Sequence, residues 1–165
     1  MGKRNGLYFG NAHIASIGSN SIENDGLINN LLVGSGDVST NMNLEGNLDS
    51  EAFQNRNFSS ITLPNITSVS DYAFQDCNVL TTVNLPKVTS IGSCAFRRCA
   101  ALTTVDISNV TDIKNYTFDA CSSLAEINLP NVTDVGDYAF RDCIALTTVN
   151  LPNATSIGSY AYNDC

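Results

Sequence analysis

The feature that most limits what this chain can fold into is a period. Phenylalanine recurs at Phe74, Phe96, Phe118 and Phe140, with Tyr162 in the next slot, each 22 residues after the last. Cys77, Cys99, Cys121, Cys143 and Cys165 keep the same step, as do Leu63, Leu85, Ile107, Leu129 and Leu151. Three residue classes sharing one spacing indicate stacked copies of one small unit, because self-similarity at roughly 20–50 residues marks solenoids and arrays. A degenerate earlier copy, LDSEAFQNRNFSSITL, puts Phe53 on the Phe ladder, Arg56 near the Cys slot and Phe58 where Leu80 stands. An atypical first copy suits a terminal cap.

Each copy divides into physical parts. In LTTVNLP the apolar Leu80, Val83 and Leu85 turn inward and Thr82 and Asn84 outward, which predicts a short strand. Pro64, Pro86, Pro130 and Pro152 end it, since proline cannot donate to a ladder; Ser108 is the exception. In VTSI a second extended segment follows, with Val88 and Ile91 inward. Asp71, Ser93, Asn115, Asp137 and Ser159 then occupy one slot, a set matching the preferred helix N-caps, so a short helical turn is expected to start there. One copy cannot cover its own apolar face, but copies stacked about 4.8 Å apart can. The expected fold is therefore a β-rich α/β solenoid with one main strand, one minor extended segment and one helical turn per coil.

LPNVTDVGDYAFRDCIALTTVNLP resembles the BspA-like leucine-rich repeat of surface proteins from oral and gut bacteria, treponemes and trichomonads. The resemblance spans about residues 48–165 and is carried by LP, I-G-x-Y-A-F and C-x-x-L. It implies a curved solenoid, adhesion to host proteins or to other cells for several members, and no enzyme. The chain departs from the family in its N-terminal segment, where no secretory leader is legible: the basic start is followed by no continuous apolar stretch.

Composition narrows the partners. A net charge of −8 argues against nucleic acid and anionic membrane, which select for Lys and Arg, and no apolar run approaches a membrane span. Five of the six cysteines share one column, and the sixth, Cys94, stands where other copies have Tyr72, Tyr116, Tyr138 and Tyr160. Identical residues on adjacent coils point the same way, so buried free thiols are expected in preference to disulfides. The lone histidine, His13, lies in a predicted hairpin, and the carboxylates form no pair that stands out from its copies, so no catalytic residue, metal ligand or cofactor is assigned. The single G-x-G at Gly34 and Gly36 reads as a loop, and the N-x-S/T triplets at Asn57, Asn65, Asn109, Asn115, Asn131 and Asn153 mostly copy the repeat.

The candidate binding face is the outward side of the main strands, in two columns: Ser60, Thr82, Thr104, Glu126, Thr148 and Thr62, Asn84, Asp106, Asn128, Asn150. These side chains are short and polar with no aromatic anchor, which suits weak, multivalent contact with a glycan or a repetitive surface. Good soluble strand residues would look the same.

Residues 1–46 differ in kind. Eight of the eleven glycines lie there, with no proline or cysteine. GLYFGNAHIASIG predicts a hairpin turning near Gly10-Asn11, and GLINNLLVG is a second apolar run. Too small for a core of its own, this segment is expected to dock through Leu7, Tyr8, Phe9, Ile28, Leu31 and Leu32. The remainder, 47–165, reads as the solenoid, with a degenerate coil at 47–63, regular coils from 64 and an incomplete last one.

LYFGNAHIASI is also similar to the strand-turn-strand openings of structural proteins from phages of Firmicutes. The functional expectation is a binding solenoid on a phage virion or tail-like particle. Its N-terminal segment would hold other virion or surface proteins, and its repeats would meet a host cell-surface protein or glycan. The alternative is a bacterial surface adhesin of the BspA type, and a ligand-free scaffold is a third possibility. After Cys165 no closing strand follows, so continuation of the chain, or cover by another subunit in a homo-oligomer, is expected.

Overall fold

The structure is a computed structural model that describes residues 6–9, 12–16 and 45–165. Strands β1 (Gly6–Phe9) and β2 (Ala12–Ser16) pair antiparallel, with Tyr8 opposite His13, while the expected turn at Gly10-Asn11 lies outside the described residues. From residue 45 onward every strand pairing is parallel and links one coil to the next.

Two ladders run along the stack. The main one comprises β4 (Ser60–Thr62), β6 (Thr82–Asn84) and β8 (Thr104–Asp106), then β10 (Glu126–Asn128) and β12 (Thr148–Asn150). The minor one comprises β3 (Glu45–Leu48), β5 (Asn65–Val69) and β7 (Ser90–Ile91), then β9 (Asp112–Ile113), β11 (Asp134–Val135) and β13 (Ser156–Ile157). Apart from β3–β5, where the register is irregular, pairing keeps the 22-residue step, so Thr82 faces Thr104 and Val83 faces Val105. Both ladders lapse at one place: β8 does not pair with β10, nor β7 with β9.

The interior follows the expected columns. Phe53, Phe74, Phe96, Phe118 and Phe140 are fully buried, and their rings stack nearly parallel at 5.1–5.4 Å. Tyr162 continues the column at 5.3 Å from Phe140. Each buried ring contributes on the order of 2 kcal/mol through apolar burial. Leu63, Leu85, Ile107 and Leu129 are buried beside Val88, Val110 and Val132.

The cysteine column explains itself on the same spacing. Cys77, Cys99, Cys121 and Cys143 are buried and unpaired. Each Sγ donates to the carbonyl of the preceding coil's phenylalanine, Phe53, Phe74, Phe96 and Phe118, at 3.0–3.1 Å. A small apolar side chain with one weak donor therefore fills the core and satisfies a buried acceptor together. Burial pushes the Cys77 and Cys143 thiols up to about 12, and Cys99 and Cys121 well above the usual range. Cys94 is buried as well, while Cys165 is exposed.

The expected helical turn is not formed; among the described residues there is no helix. Each coil turns with two left-handed residues four apart, such as Tyr72 and Asp76 (both φ 61°) or Tyr116 (φ 59°) and Ala120 (φ 60°). The donors then divide. The amides of Tyr72, Phe74 and Asp76 reach sideways to the carbonyls of Ser93, Ala95 and Arg97, and those of Gln75 and Cys77 close turns on Tyr72 and Phe74. A helix needs every donor directed along its own axis; here three of these five tie coil to coil.

The N-cap expectation changes accordingly. Asp71, Asn115 and Asp137 do cap an amide, but it belongs to the next coil: their Oδ1 atoms accept from Ser93, Asp137 and Ser159 at 2.7–2.9 Å.

Candidate functional site

The strand-face columns are brought into line, but they are not equally open. Ser60, Thr62, Thr82 and Asn84 are half-buried, whereas Thr104, Asp106, Glu126, Asn128, Thr148 and Asn150 are exposed. The polar columns are therefore presented mainly from β8 to β12. Asn150 Nδ2 donates to Asn128 Oδ1 at 2.7 Å, which links these two asparagines from rung to rung. The asparagines of the N-x-T triplets are used similarly: the Nδ2 groups of Asn109, Asn131 and Asn153 donate to the carbonyls of Pro86, Ser108 and Pro130 at 2.7–2.8 Å. Of the attachment residues, Leu7, Tyr8 and Phe9 form β1, while Ile28, Leu31 and Leu32 lie outside the described residues, as do Gly34 and Gly36.

The structure also assembles a face that the sequence pattern did not single out. Tyr116, Tyr138 and Tyr160 follow the corner slot of three consecutive coils and stack at 4.9 and 5.3 Å, within 13° of parallel. Tyr72 heads the same column, and Cys94 interrupts it. Beside the rings, in the slot after the buried Phe, stand Gln75, Arg97, Asp119, Arg141 and Asn163. Asp119 is 1 % exposed. Arg97 Nε meets its Oδ2 at 2.9 Å from the coil before; Arg141 Nε and Nη2 meet Oδ1 and Oδ2 at 2.8 and 3.1 Å from the coil after. Hydrogen bonding to Asp119 raises the Arg141 pKa, so this guanidinium stays charged.

Both guanidiniums also lie on aromatic rings: Arg97 5.9 Å and Arg141 5.6 Å from the Tyr116 centroid, and Arg141 5.5 Å from that of Tyr138. Cation–π contact and a buried carboxylate thus fix two arginines about one-third exposed. The sequence did hold a sign of this: in a slot that is neutral elsewhere (Gln75, Asn163), charge alternates as Arg, Asp, Arg at the repeat spacing.

A third feature is a shallow groove of about 430 Å³ along the coil corners, lined by Ser50, Ser70, Asp71, Gly92, Ser93 and Lys114 among others. Among the described residues no group of three or more His, Cys, Asp or Glu is placed to hold a metal ion.

The comparisons with known proteins follow from this architecture. Residues 46–165 match the BspA type leucine rich repeat region in six copies. The chain is similar to a leucine rich cell surface protein from Faecalibacterium prausnitzii, with 32% identity and a TM-score of 0.66 over 73% of this chain and 34% of that one. It is also similar to the T. pallidum leucine rich repeat protein, with 30% identity and a TM-score of 0.62 over 65% of this chain and 55% of that one. A leucine-rich repeat protein from Eubacterium ventriosum matches at 25% identity and a TM-score of 0.55, over 70% of this chain and 35% of that one. The chain thus spans about a third to a half of the length of these proteins. No curated protein matches it by sequence. With a 22-residue coil, parallel ladders and buried Leu, Phe and Cys columns within residues 46–165, the chain belongs to the BspA-type leucine-rich repeat family.

Proposed function

We propose that this chain is a non-catalytic recognition solenoid displayed at a cell surface, where its repeats bind a surface protein or glycan. The observation that carries the reading is the contrast between an interior repeated from coil to coil and polar columns that stand exposed from Thr104 to Asn150. Kinship with a bacterial cell surface protein supports the location. Rows of hydroxyl and amide side chains at the repeat spacing, interrupted by Asp106 and Glu126, suit a ligand that repeats too, with many weak contacts adding up. The test is binding of the protein to whole bacterial and host cells, before and after protease or glycosidase treatment. Thr104→Lys with Thr148→Lys is expected to abolish the bound fraction; binding that survives both substitutions counts against the strand face.

A second reading, display on a phage particle with attachment through residues 1–46, draws on the similarity of LYFGNAHIASI to phage structural-protein openings and on the antiparallel β1–β2 pair within it. Copurification with capsid or tail proteins would favour it.

A further inference from the structure

We propose that the face built from Tyr116, Tyr138, Tyr160, Arg97 and Arg141 is a contact surface for a carboxylate-bearing segment of another protein. This rests on the reading of the chain as a binding module but concerns a different side from the strand ladder.

The ion cluster is more than the fold requires. The slot it occupies holds neutral Gln75 and Asn163 in other coils, which turn with the same left-handed backbone. Burying a carboxylate between two cations is seldom a net gain over neutral packing, because desolvation opposes the attraction. One half of the cluster does serve the fold, because Arg97 reaches Asp119 across the junction where both ladders lapse. Arg141 has no such structural role, since it approaches across a junction where β9–β11 and β10–β12 are shared between intact ladders. Its two-pronged grip on Asp119 and its seat over Tyr116 and Tyr138 leave a held guanidinium with an edge toward solvent.

The stacking decides the class of partner. Each internal tyrosine ring has its faces against neighbouring side chains at about 5 Å, so rings present edges and hydroxyls. A sugar ring packs on an exposed aromatic face, which the arginine-bearing part of the column, Tyr116 and Tyr138, does not offer; Tyr160, stacked on Tyr138 alone and 63 % exposed, does. Hydroxyl and guanidinium donors remain, and they call for acceptors. Asp119 does not compete, since its oxygens are already occupied and 1 % exposed. All four arginines of the repeats, Arg56, Arg97, Arg98 and Arg141, fall within three residues of a buried Phe, on this turn side of a chain with net charge −8. Asp142 Oδ2 lies 3.3 Å from Arg141 Nε and Asp76 Oδ1 3.9 Å from Arg98 Nη1, so both arginines already meet a carboxylate of this chain and an incoming one must be placed at a remaining guanidinium edge. Tyr and Arg pre-held in one geometry are the residues that dominate protein contacts, because little freedom remains to be lost on binding.

The probe is a random dodecapeptide display library selected on the full chain. Enriched peptides are expected to carry Asp or Glu and to bind at least about ten-fold more weakly to Arg97→Gln/Asp119→Asn/Arg141→Gln, which gives the slot the neutral chemistry of Gln75 and Asn163 and leaves no buried charge unpaired. Thermal melting establishes that this variant folds. Should it not fold, Tyr138→Phe keeps the stack and removes one hydroxyl, with a several-fold loss expected. Failure to enrich any peptide, enrichment without acidic residues, equal affinity for the neutral variant, or arginine-dependent binding confined to sulfated or sialylated glycans each overturns the proposal. The strand-face pair Thr104→Lys/Thr148→Lys separates the two readings, since cell binding lost with peptide binding intact identifies two independent faces.

Discussion

Two kinds of junction hold these coils together. At three of them an Asp or Asn corner meets a glycine in the next coil: Asp71 with Gly92, Asn115 with Gly136 and Asp137 with Gly158. A Cβ added to any of these glycines would stand 2.4–2.6 Å from the facing Oδ1 and 2.4–2.7 Å from the facing backbone nitrogen. Where Ser93 is the corner, the facing residue is Lys114, and there both ladders lapse. The carboxylate or amide corner and the glycine above it therefore act as one unit: the glycine admits the close approach through which Oδ1 takes the next coil's amide. At the Ser93–Lys114 junction the coils are held by the turn amides of Cys94, Phe96 and Arg98 and the Phe96–Phe118 stack, which have counterparts at the other junctions, and by the Arg97–Asp119 pair. The first junction, Ser50 with Ser70, keeps its ladder with two small residues and an irregular register.

The largest expected effect crosses all junctions alike. Four buried thiols have pKa values raised by burial, so they stay neutral in the fold while the unfolded chain ionises near 9. Above that value the unfolded state binds fewer protons, so stability is intact below about pH 9 and falls as pH rises toward 12. Denaturation midpoints should drop steeply over that window, and less steeply in Cys77→Ala/Cys143→Ala. Amide exchange should rise together at Gly92 and at Phe96, whose amides cross an intact and the lapsed junction; an opening confined to Phe96 would mean that the lapsed junction governs alkaline unfolding.

Next comes Asp119→Ala, which takes the carboxylate from Arg97 across the lapsed junction and from Arg141 across the next one. Because the arginines are about one-third exposed, a loss of about 2–3 kcal/mol is expected in chemical denaturation, below the range for full burial. A loss under about 0.5 kcal/mol would show that the turn amides and stacked rings suffice.

Gly92→Ala should cost about 1–3 kcal/mol, because the atoms it meets include the Asp71 backbone nitrogen. Asp71→Ser in the same chain should recover part of that loss, and a simple sum of the two effects would break the pairing of corner and glycine.

The smallest effect is a repair. Ser93→Asp with Lys114→Gly converts the lapsed junction to the other kind and should gain about 1 kcal/mol, the worth of a restored hydrogen bond. Slowed exchange at the amides of Asp112 and Ile113 would report the ladder forming.

Much of this was legible from period alone. The 22-residue step, the inward Leu, Phe and Cys columns, the outward Thr and Asn columns and the β1–β2 pair are all local alternation and spacing, which stacking turns directly into burial. What the sequence could not disclose was the direction of the turn's hydrogen bonds. Asp71-Tyr-Ala-Phe reads equally as a capped helix or as a left-handed corner, and only neighbouring coils supplying carbonyls at Ser93, Ala95 and Arg97 decide for the corner. The arginine face was hidden for the same reason. Arg97, Asp119 and Arg141 lie 22 and 44 residues apart, and their meeting over Tyr116 depends on the register of three coils. Repetition specifies which residues share a column; the tertiary stack decides which of them touch, because contact between coils is set by their approach and not by any property of one coil.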